Sequence, residues 1–265
     1  MSNVAPVADA GEDQKVAEGS TVTFQGTASD PGVNDALTIS WDFGDGNSDT
    51  TGTLQPTHVY SDEGTYVVTL KVTDDDGGIG TDTLTVTVLN AAPTATLSNN
   101  GPVNEGSPVT VSFSDQYDPG SDSFTYSFDW NNDGIYDAID QADASAQYSW
   151  YDNGLYTVKA MIKDDDGGFA DYTTVVSVLN VVPTATLSND GPVTEGNPVT
   201  VSFSNMYDPG DDILTYSFDW DNDGTYDVIN QLEASAQYTG YTAGTYTVTA
   251  KISDSDGGFN EYTTD

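Results

Sequence analysis

The sequence predicts an all-β chain of three consecutive sandwiches, each built from two antiparallel sheets, and three features lead there. The first is repetition. GTYVVTLKVTDDDGG, from Gly64 to Gly78, returns as GLYTVKAMIKDDDGG from Gly154 to Gly168 and as GTYTVTAKISDSDGG from Gly244 to Gly258. The second is alternation: Tyr156, Val158, Ala160 and Ile162 fall on one side, Thr157, Lys159, Met161 and Lys163 on the other. That period of two belongs to a strand with one buried and one wet face. The third is punctuation, because short apolar runs are separated by turns rich in Gly, Pro and Asp, as in sandwiches of short strands.

Landmarks set the register of the copies. Asn3-Val-Ala-Pro, Asn90-Ala-Ala-Pro and Asn180-Val-Val-Pro open them. Glu18-Gly19, Glu105-Gly106 and Glu195-Gly196 mark a turn after the first strand, and Asp30-Pro31-Gly32, Asp118-Pro119-Gly120 and Asp208-Pro209-Gly210 end the second. The chain therefore divides into domains at 1–89, 90–179 and 180–265. In the second, seven strands are expected near 93–98, 108–114, 124–130, 135–139, 145–149, 155–163 and 169–179.

The third strand carries an aromatic ladder: Leu37, Ile39, Trp41 and Phe43, then Phe124, Tyr126, Phe128 and Trp130, then Leu214, Tyr216, Phe218 and Trp220. Its alternation onto one face marks it as core. The Tyr that opens each long strand (Tyr66, Tyr156, Tyr246) resembles the tyrosine corner of Ig-like sandwiches, where the hydroxyl bonds back to nearby backbone. Linkers of a residue or two restrict bending, so the three sandwiches are expected to form an extended rod. The third copy ends at Asp265, where the second continues as TVVSVLN, which reads as a cut inside its final strand and a piece of a longer array.

Charge narrows the function. Five Lys, no Arg and 43 Asp plus Glu give a net charge of -38. Nucleic acid and anionic membranes are excluded as partners, because both need basic groups to replace their counterions. Self-repulsion on this scale calls for cations or salt. Cysteine is absent, which removes disulfides and thiolate metal sites. No apolar run is long enough to insert in a membrane, and Met1-Ser2-Asn3 lacks the basic and apolar regions of a signal peptide.

Trp41-Asp42-Phe43-Gly44-Asp45-Gly46, with His58-Val59-Tyr60 and the Gly64–Asp74 strand downstream, resembles a polycystic kidney disease (PKD) domain. Copies two and three depart from that motif by one inserted residue, as Phe128-Asp129-Trp130-Asn131-Asn132-Asp133-Gly134 and Phe218-Asp219-Trp220-Asp221-Asn222-Asp223-Gly224. The resemblance implies three tandem Ig-like sandwiches that are extracellular, non-catalytic and, as in bacterial members, calcium-binding.

Two sets of oxygen ligands stand out. The inserted loops place Asp129, Asn131, Asp133, Gly134 and Asp137, and likewise Asp219, Asp221, Asp223, Gly224 and Asp227, at the first, third, fifth, sixth and ninth positions of an EF-hand-like loop. The carbonyl of Ile135 or Thr225 would complete the seventh position, while Asp140 and Asn230 replace the bidentate Glu. The bland alternative is an Asx-rich hairpin. Topology supplies the second set, because the chain start and two inter-strand loops of such a sandwich meet at one pole. That pole gathers Asn3, Asp30, Asp35, Asp74 and Asp76 in copy one; Asn90, Asp118, Asp122, Asp164 and Asp166 in copy two; and Asn180, Asp208, Asp212, Asp254 and Asp256 in copy three. Converging carboxylates without cationic neighbours repel unless an ion lies among them. Calcium is the expected cofactor, and Asn90 and Asn180 would tie it to the linkers.

Catalysis has little material. His58 is the sole imidazole, and register places Ala146 and Ala236 opposite it in the sister copies. Trp150-Tyr151 invites a sugar-stacking reading, but a loop anchor is preferred; the third copy has Gly240 in place of Trp150. The chain thus reads as a calcium-stiffened spacer or adhesion module of a surface protein, packed against neighbouring repeats of the same chain and facing a cell-surface protein or polysaccharide. The alternative is a substrate-docking accessory module of a secreted hydrolase.

Overall fold

In the second repeat, a five-stranded sheet runs Val103–Asn104, Phe169–Leu179, Gly154–Lys163, Thr125–Asp129, Ala138–Gln141. Opposite it lies the sheet Thr94–Asn99, Pro108–Tyr117, Ser145–Ser149. The computed structural model behind this description covers residues 3–32 and 35–265. The first repeat follows the same plan: Gln14–Ala17, Ile79–Leu89, Gly64–Thr73, Thr38–Asp42 and Ser48–Asp49 form one sheet. Val7–Asp9 with Thr27–Ser29, and Thr21–Thr23 with Thr57–Val59, face it. The third repeat sets Val228–Gln231, Thr215–Asp219, Val248–Ser253 and Phe259–Thr264 against Thr184–Asn189, Val199–Tyr207 and Ser235–Tyr238. Each is an all-β sandwich with its own core cluster.

Two elements differ from expectation. The opening strand is split, and its second piece crosses to the other sheet to run parallel to the last strand, pairing Gln14 with Val86 and Val103 with Val178. In the second repeat Gly101-Pro102 interrupts the alternation, since proline fixes φ and removes a ladder donor. The crossing piece that follows is two residues long, too short for its period to be read. The strand expected at 135–139 begins only at Ala138, because Asp137 stays in the loop, its amide bonded to the Phe128 carbonyl at 2.8 Å.

The ladder forms the core. Trp41, Phe43, Tyr126, Phe128, Trp130, Phe218 and Trp220 are each at most 6 % exposed. The tyrosine corner closes as expected in the first two repeats, with Tyr66 and Tyr156 hydroxyls donating to the Asp62 and Asp152 carbonyls at 3.0 and 2.9 Å. In the third, the Tyr246 hydroxyl instead meets that of Thr242.

Register corrects the partner of His58. His58 pairs with Val22, Tyr148 with Val109 and Tyr238 with Val199. The counterparts are therefore Tyr148 and Tyr238, not Ala146 and Ala236. All three rings stack on the last aromatic of the ladder, at 4.2, 5.3 and 5.4 Å. His58 is a core-edge ring whose Nε2 also meets Asp45 at 2.6 Å. Trp150 is buried and stacks on Tyr156, as Tyr60 stacks on Tyr66. Tyr241, one residue past Gly240, fills that place in the third repeat by stacking on Tyr246.

Candidate metal centre

The Gly-Gly that closes each repeated stretch builds the pole. Gly77, Gly167 and Gly257 adopt φ of +89°, +97° and +93°, a conformation that costs a side-chain-bearing residue about 1–2 kcal/mol. The chain then folds back on the buried Asp74, Asp164 and Asp254. Each accepts the amide of the second glycine on Oδ1, at 2.7, 2.6 and 2.6 Å. A Cβ on that glycine would lie 2.4, 2.3 and 2.3 Å from the Asp Oδ2, so no larger residue fits. The opening asparagines then bind: Asn3, Asn90 and Asn180 donate Nδ2 to the same carboxylates at 3.0, 3.1 and 3.0 Å.

The Asp-Pro-Gly turns complete the pole. Asp30, Asp118 and Asp208 each accept the amide two residues on, of Gly32, Gly120 and Gly210, on Oδ1. Their Oδ2 atoms are buried and unpartnered, as are those of Asp122 and Asp212 and the Oδ1 of Asn90 and Asn180. Oxygens of Asp30, Asp35 and Asp74 lie within 4.8 Å of one another, and those of Asp62, Asp122 and Asp166 do the same. The structure thus brings together Asp30, Asp35 and Asp74 in the first repeat and Asp122 with Asp166 in the second, the latter joined by Asp62 of the first repeat. Burial pushes the carboxyls of Asp35, Asp208 and Asp256 up, with neighbouring carboxylates adding to it. Burial, then a hydrogen bond with Asp166 and the charges of Glu18 and Asp118, pushes Asp122 up to about 7. Among the described residues the ion pairs are His58–Asp45 and Lys159–Asp171, and neither is at a pole.

Unpaired buried acceptor oxygens are costly. A hard cation satisfies several at once, and an all-oxygen donor set suits calcium. The residues present fit the ion.

The hairpin loops differ. Asp129, wholly buried, accepts the amides of Asp133 and Gly134 at 3.3 and 2.9 Å, and Asp219 accepts those of Asp223 and Gly224 at the same distances. Asn131 Oδ1 accepts the Asp133 amide, Asp133 that of Ile135, Asp223 that of Thr225, and Asp137 and Asp227 those of Trp130 and Trp220. These loops hold their shape mainly with backbone donors, joined by the Asn131 side-chain amide, which donates to Asp133 at 3.1 Å, and the Thr249 hydroxyl, which donates to Asn222 at 2.6 Å. Asp221 departs from this, its carboxyl pushed up by burial and by Asp223, Asp227 and Asp219. Asp140 and Asn230 lie exposed in the next strand, their amides bonded to the Ser127 and Ser217 hydroxyls.

Sequence reasoning missed Glu18 and Glu105, read only as turn markers. Glu18 is 2 % exposed and Glu105 1 %. Oxygens of Glu18, Asp118 and Asp122 lie within 4.8 Å of one another, as do those of Glu18, Asp62 and Glu63, and of Glu105, Asp152 and Asp256. Burial pushes both glutamates up, and the charges of Asp118 and Asp62, or of Asp212 and Asp208, add to it against one backbone hydrogen bond each. The recurrence of Glu-Gly in every copy was the available signal.

A family model described as PKD domain matches residues 3–88, 90–178 and 180–265. The microbial collagenase of Vibrio alginolyticus is 39 % identical over 88 residues, 33 % of this chain and 11 % of that protein. Collagenase ColA of Clostridium perfringens is 32 % identical over 103 residues, 39 % of this chain and 9 % of that protein. The match thus spans about a tenth of the length of these curated relatives. Among solved structures, the PKD1 domain of Vibrio cholerae metalloprotease PrtV is 38 % identical, covers 32 % of this chain and 98 % of its own, and has a TM-score of 0.26.

Proposed function

We propose that this chain, which belongs to the PKD domain family along its length, is a non-catalytic, calcium-stabilised accessory module that spaces parts of a larger extracellular or cell-surface protein. The observation that carries this reading is the set of buried, unpartnered carboxylate oxygens at the poles, Asp30, Asp118 and Asp208 foremost. Calcium at each pole ties the linker asparagine to the two acidic loops and so stiffens each sandwich where its neighbour attaches. The hairpin loops from Asp129 and Asp219 offer a second, weaker class of site. An extracellular location suits the hairpin loops in particular, since EF-hand-like sites without the bidentate Glu fall toward the millimolar affinity of extracellular modules. Among the described residues no helix is long and apolar enough to cross a membrane.

The test is thermal unfolding in excess chelator and in calcium. A site at a hundredfold saturation adds about 2.7 kcal/mol, and a domain of this size shifts by about 4–8 °C per kcal/mol. The calcium reading expects a rise of ten degrees or more, absent with magnesium. No shift overturns it.

A second reading, docking of a protease onto its substrate, draws support from the names of the relatives, collagenases and a metalloprotease. It loses its sequence feature here. Trp150 is 8 % exposed and Tyr151 54 %, so no exposed Trp-Tyr pair exists to stack on a ligand. Retention on insoluble collagen or chitin, measured by pulldown, separates the two: the spacer reading expects none.

A further inference from the structure

The three Glu-Gly turns are alike in sequence and unlike in environment. Glu18 and Glu105 are buried, whereas Glu195 is exposed. The difference is the following domain. Glu18 Oε1 accepts the amide of Ala91 at 2.8 Å, and Glu105 Oε1 that of Val181 at 2.7 Å, so each carboxylate is pinned by the linker that leads out of its own domain. Its backbone is held as well: the Glu18 and Glu105 amides donate to the carbonyls of Leu89 and Leu179, the last residues of the final strands, both at 3.0 Å. The other oxygen, Oε2, is buried and unpartnered in both residues. It faces the Asp-Pro-Gly turn of the next domain. A Cβ on Gly120 would lie 2.8 Å from Glu18 Oε2, and one on Gly210 would lie 3.0 Å from Glu105 Oε2.

We infer that Glu18 and Glu105 are calcium ligands in trans, each closing the pole site of the domain that follows, so that one ion belongs to two domains. The inference rests on the calcium reading proposed above. It makes the ion a joint clamp and not only an intradomain stabiliser. At the first joint, Glu18 of the first domain joins Asp118 and Asp122 of the second within 4.8 Å. A hard cation placed there satisfies an orphaned oxygen from each side, which no side chain of the described protein does. Among the described residues the pole group of the first domain, Asp30, Asp35 and Asp74, includes no such glutamate, and Glu195 lies exposed.

Glu195 is therefore a matched control. The experiment is a calorimetric calcium titration of the full 265-residue chain and of its Glu18→Gln, Glu105→Gln, Glu195→Gln and Glu18→Gln/Glu105→Gln variants. Circular dichroism in chelator checks that each variant is folded. Affinity in oxygen sites follows the number of charged ligands, so Glu18→Gln and Glu105→Gln should each weaken one site by about tenfold or more. The double variant should weaken two, and Glu195→Gln none. In chelator the sign reverses, because Gln removes an uncompensated buried charge: melting temperatures of Glu18→Gln and Glu105→Gln should equal or exceed wild type. Titrations of all variants that superimpose on that of Glu195→Gln overturn the trans-ligand inference while leaving pole binding intact. A wild-type chain that takes up no calcium overturns the underlying reading as well.

Discussion

Gly19 offers a steric test of the joint. It adopts φ of +68°, and a Cβ placed there would lie 2.5 Å from the Cβ of Pro119 in the next domain. Gly196, the same turn in the third repeat, adopts φ of +80° with nothing within 4 Å of such a Cβ. Gly19→Ala and Gly196→Ala thus share the backbone strain, about 1–2 kcal/mol for an alanine in the left-handed region. Only Gly19→Ala also drives a wedge between domains. Carbon atoms settle at about 3.5–4.0 Å, so the Asp118-Pro119-Gly120 turn must retreat by about 1 Å or more. Calcium accepts oxygens over a window of only a few tenths of an ångström, about 2.3–2.6 Å. A retreat of that size takes Asp118 and Glu18 out of reach of one ion. In chelator, both variants should therefore melt lower than wild type by similar amounts. In calcium, Gly196→Ala should recover the full wild-type increment. Gly19→Ala should fall short by about 1.4 kcal/mol for each tenfold loss of affinity. The assay is differential scanning calorimetry at matched free calcium. Equal calcium increments in the two variants would falsify the wedge argument and with it the shared geometry of the joint.

Three further outcomes follow from particular residues. Trp150→Ala removes a buried ring stacked on Tyr156 and should cost about 3–5 kcal/mol of second-domain stability, read by urea unfolding, without changing retention on polysaccharide; a stable variant with lost retention would reinstate the docking reading. In chelator, Asp122 is pushed up to about 7 by burial, and Glu63 to about 7 by its hydrogen bond with Asp62 and then by burial. The folded, ion-free chain therefore holds more protons than the unfolded one between about pH 4 and 7, so its stability should fall as pH rises through that window; chelator melts higher at pH 8 than at pH 5 would contradict this. Asp133→Ser with Asp223→Ser should abolish only the weaker calcium class and leave the tighter one at the poles, as counted by calorimetry; loss of the tighter class would move the main site into the hairpins.

Most strand positions and the aromatic ladder were legible because each rests on a repeated local pattern. Period two announces the Gly154–Lys163 strand, and the ladder announces the core face of Thr125–Asp129. Antiparallel topology alone brings Asn90 to Asp164 across 74 residues. Two features were not legible, each for a physical reason. The parallel pairing of Val103–Asn104 is two residues long and carries no periodicity. The equivalence of His58 with Tyr148 depends on strand register, which a longer loop obscures, since His58 lies 15 residues past Phe43 and Tyr148 18 past Trp130, and the two side chains share only a flat ring.

Glu18 and Glu105 escaped for a different reason, and it bears on how the array is built. Nothing within a single repeat distinguishes them from Glu195; their burial is conferred by the next domain. Each repeat presents two unlike ends. One pole carries the linker Asn and the acidic loops; the other carries Glu-Gly, held beside the final strand by the bond from Glu18 to Leu89. These ends are complementary to each other and not to themselves, so addition is head to tail, and each unit touches only its neighbours. The contact is small and specific: the Asp211 amide donates to the Tyr151 carbonyl at 2.6 Å, and proline packs on glycine at both joints. Such a contact, rich in carboxylates, is self-repelling without a cation. Joint stiffness should therefore follow calcium while each sandwich keeps its own core. Separate hydrophobic clusters assign fold to the domain, and on the calcium reading proposed above the shared charge leaves joint geometry to the ion.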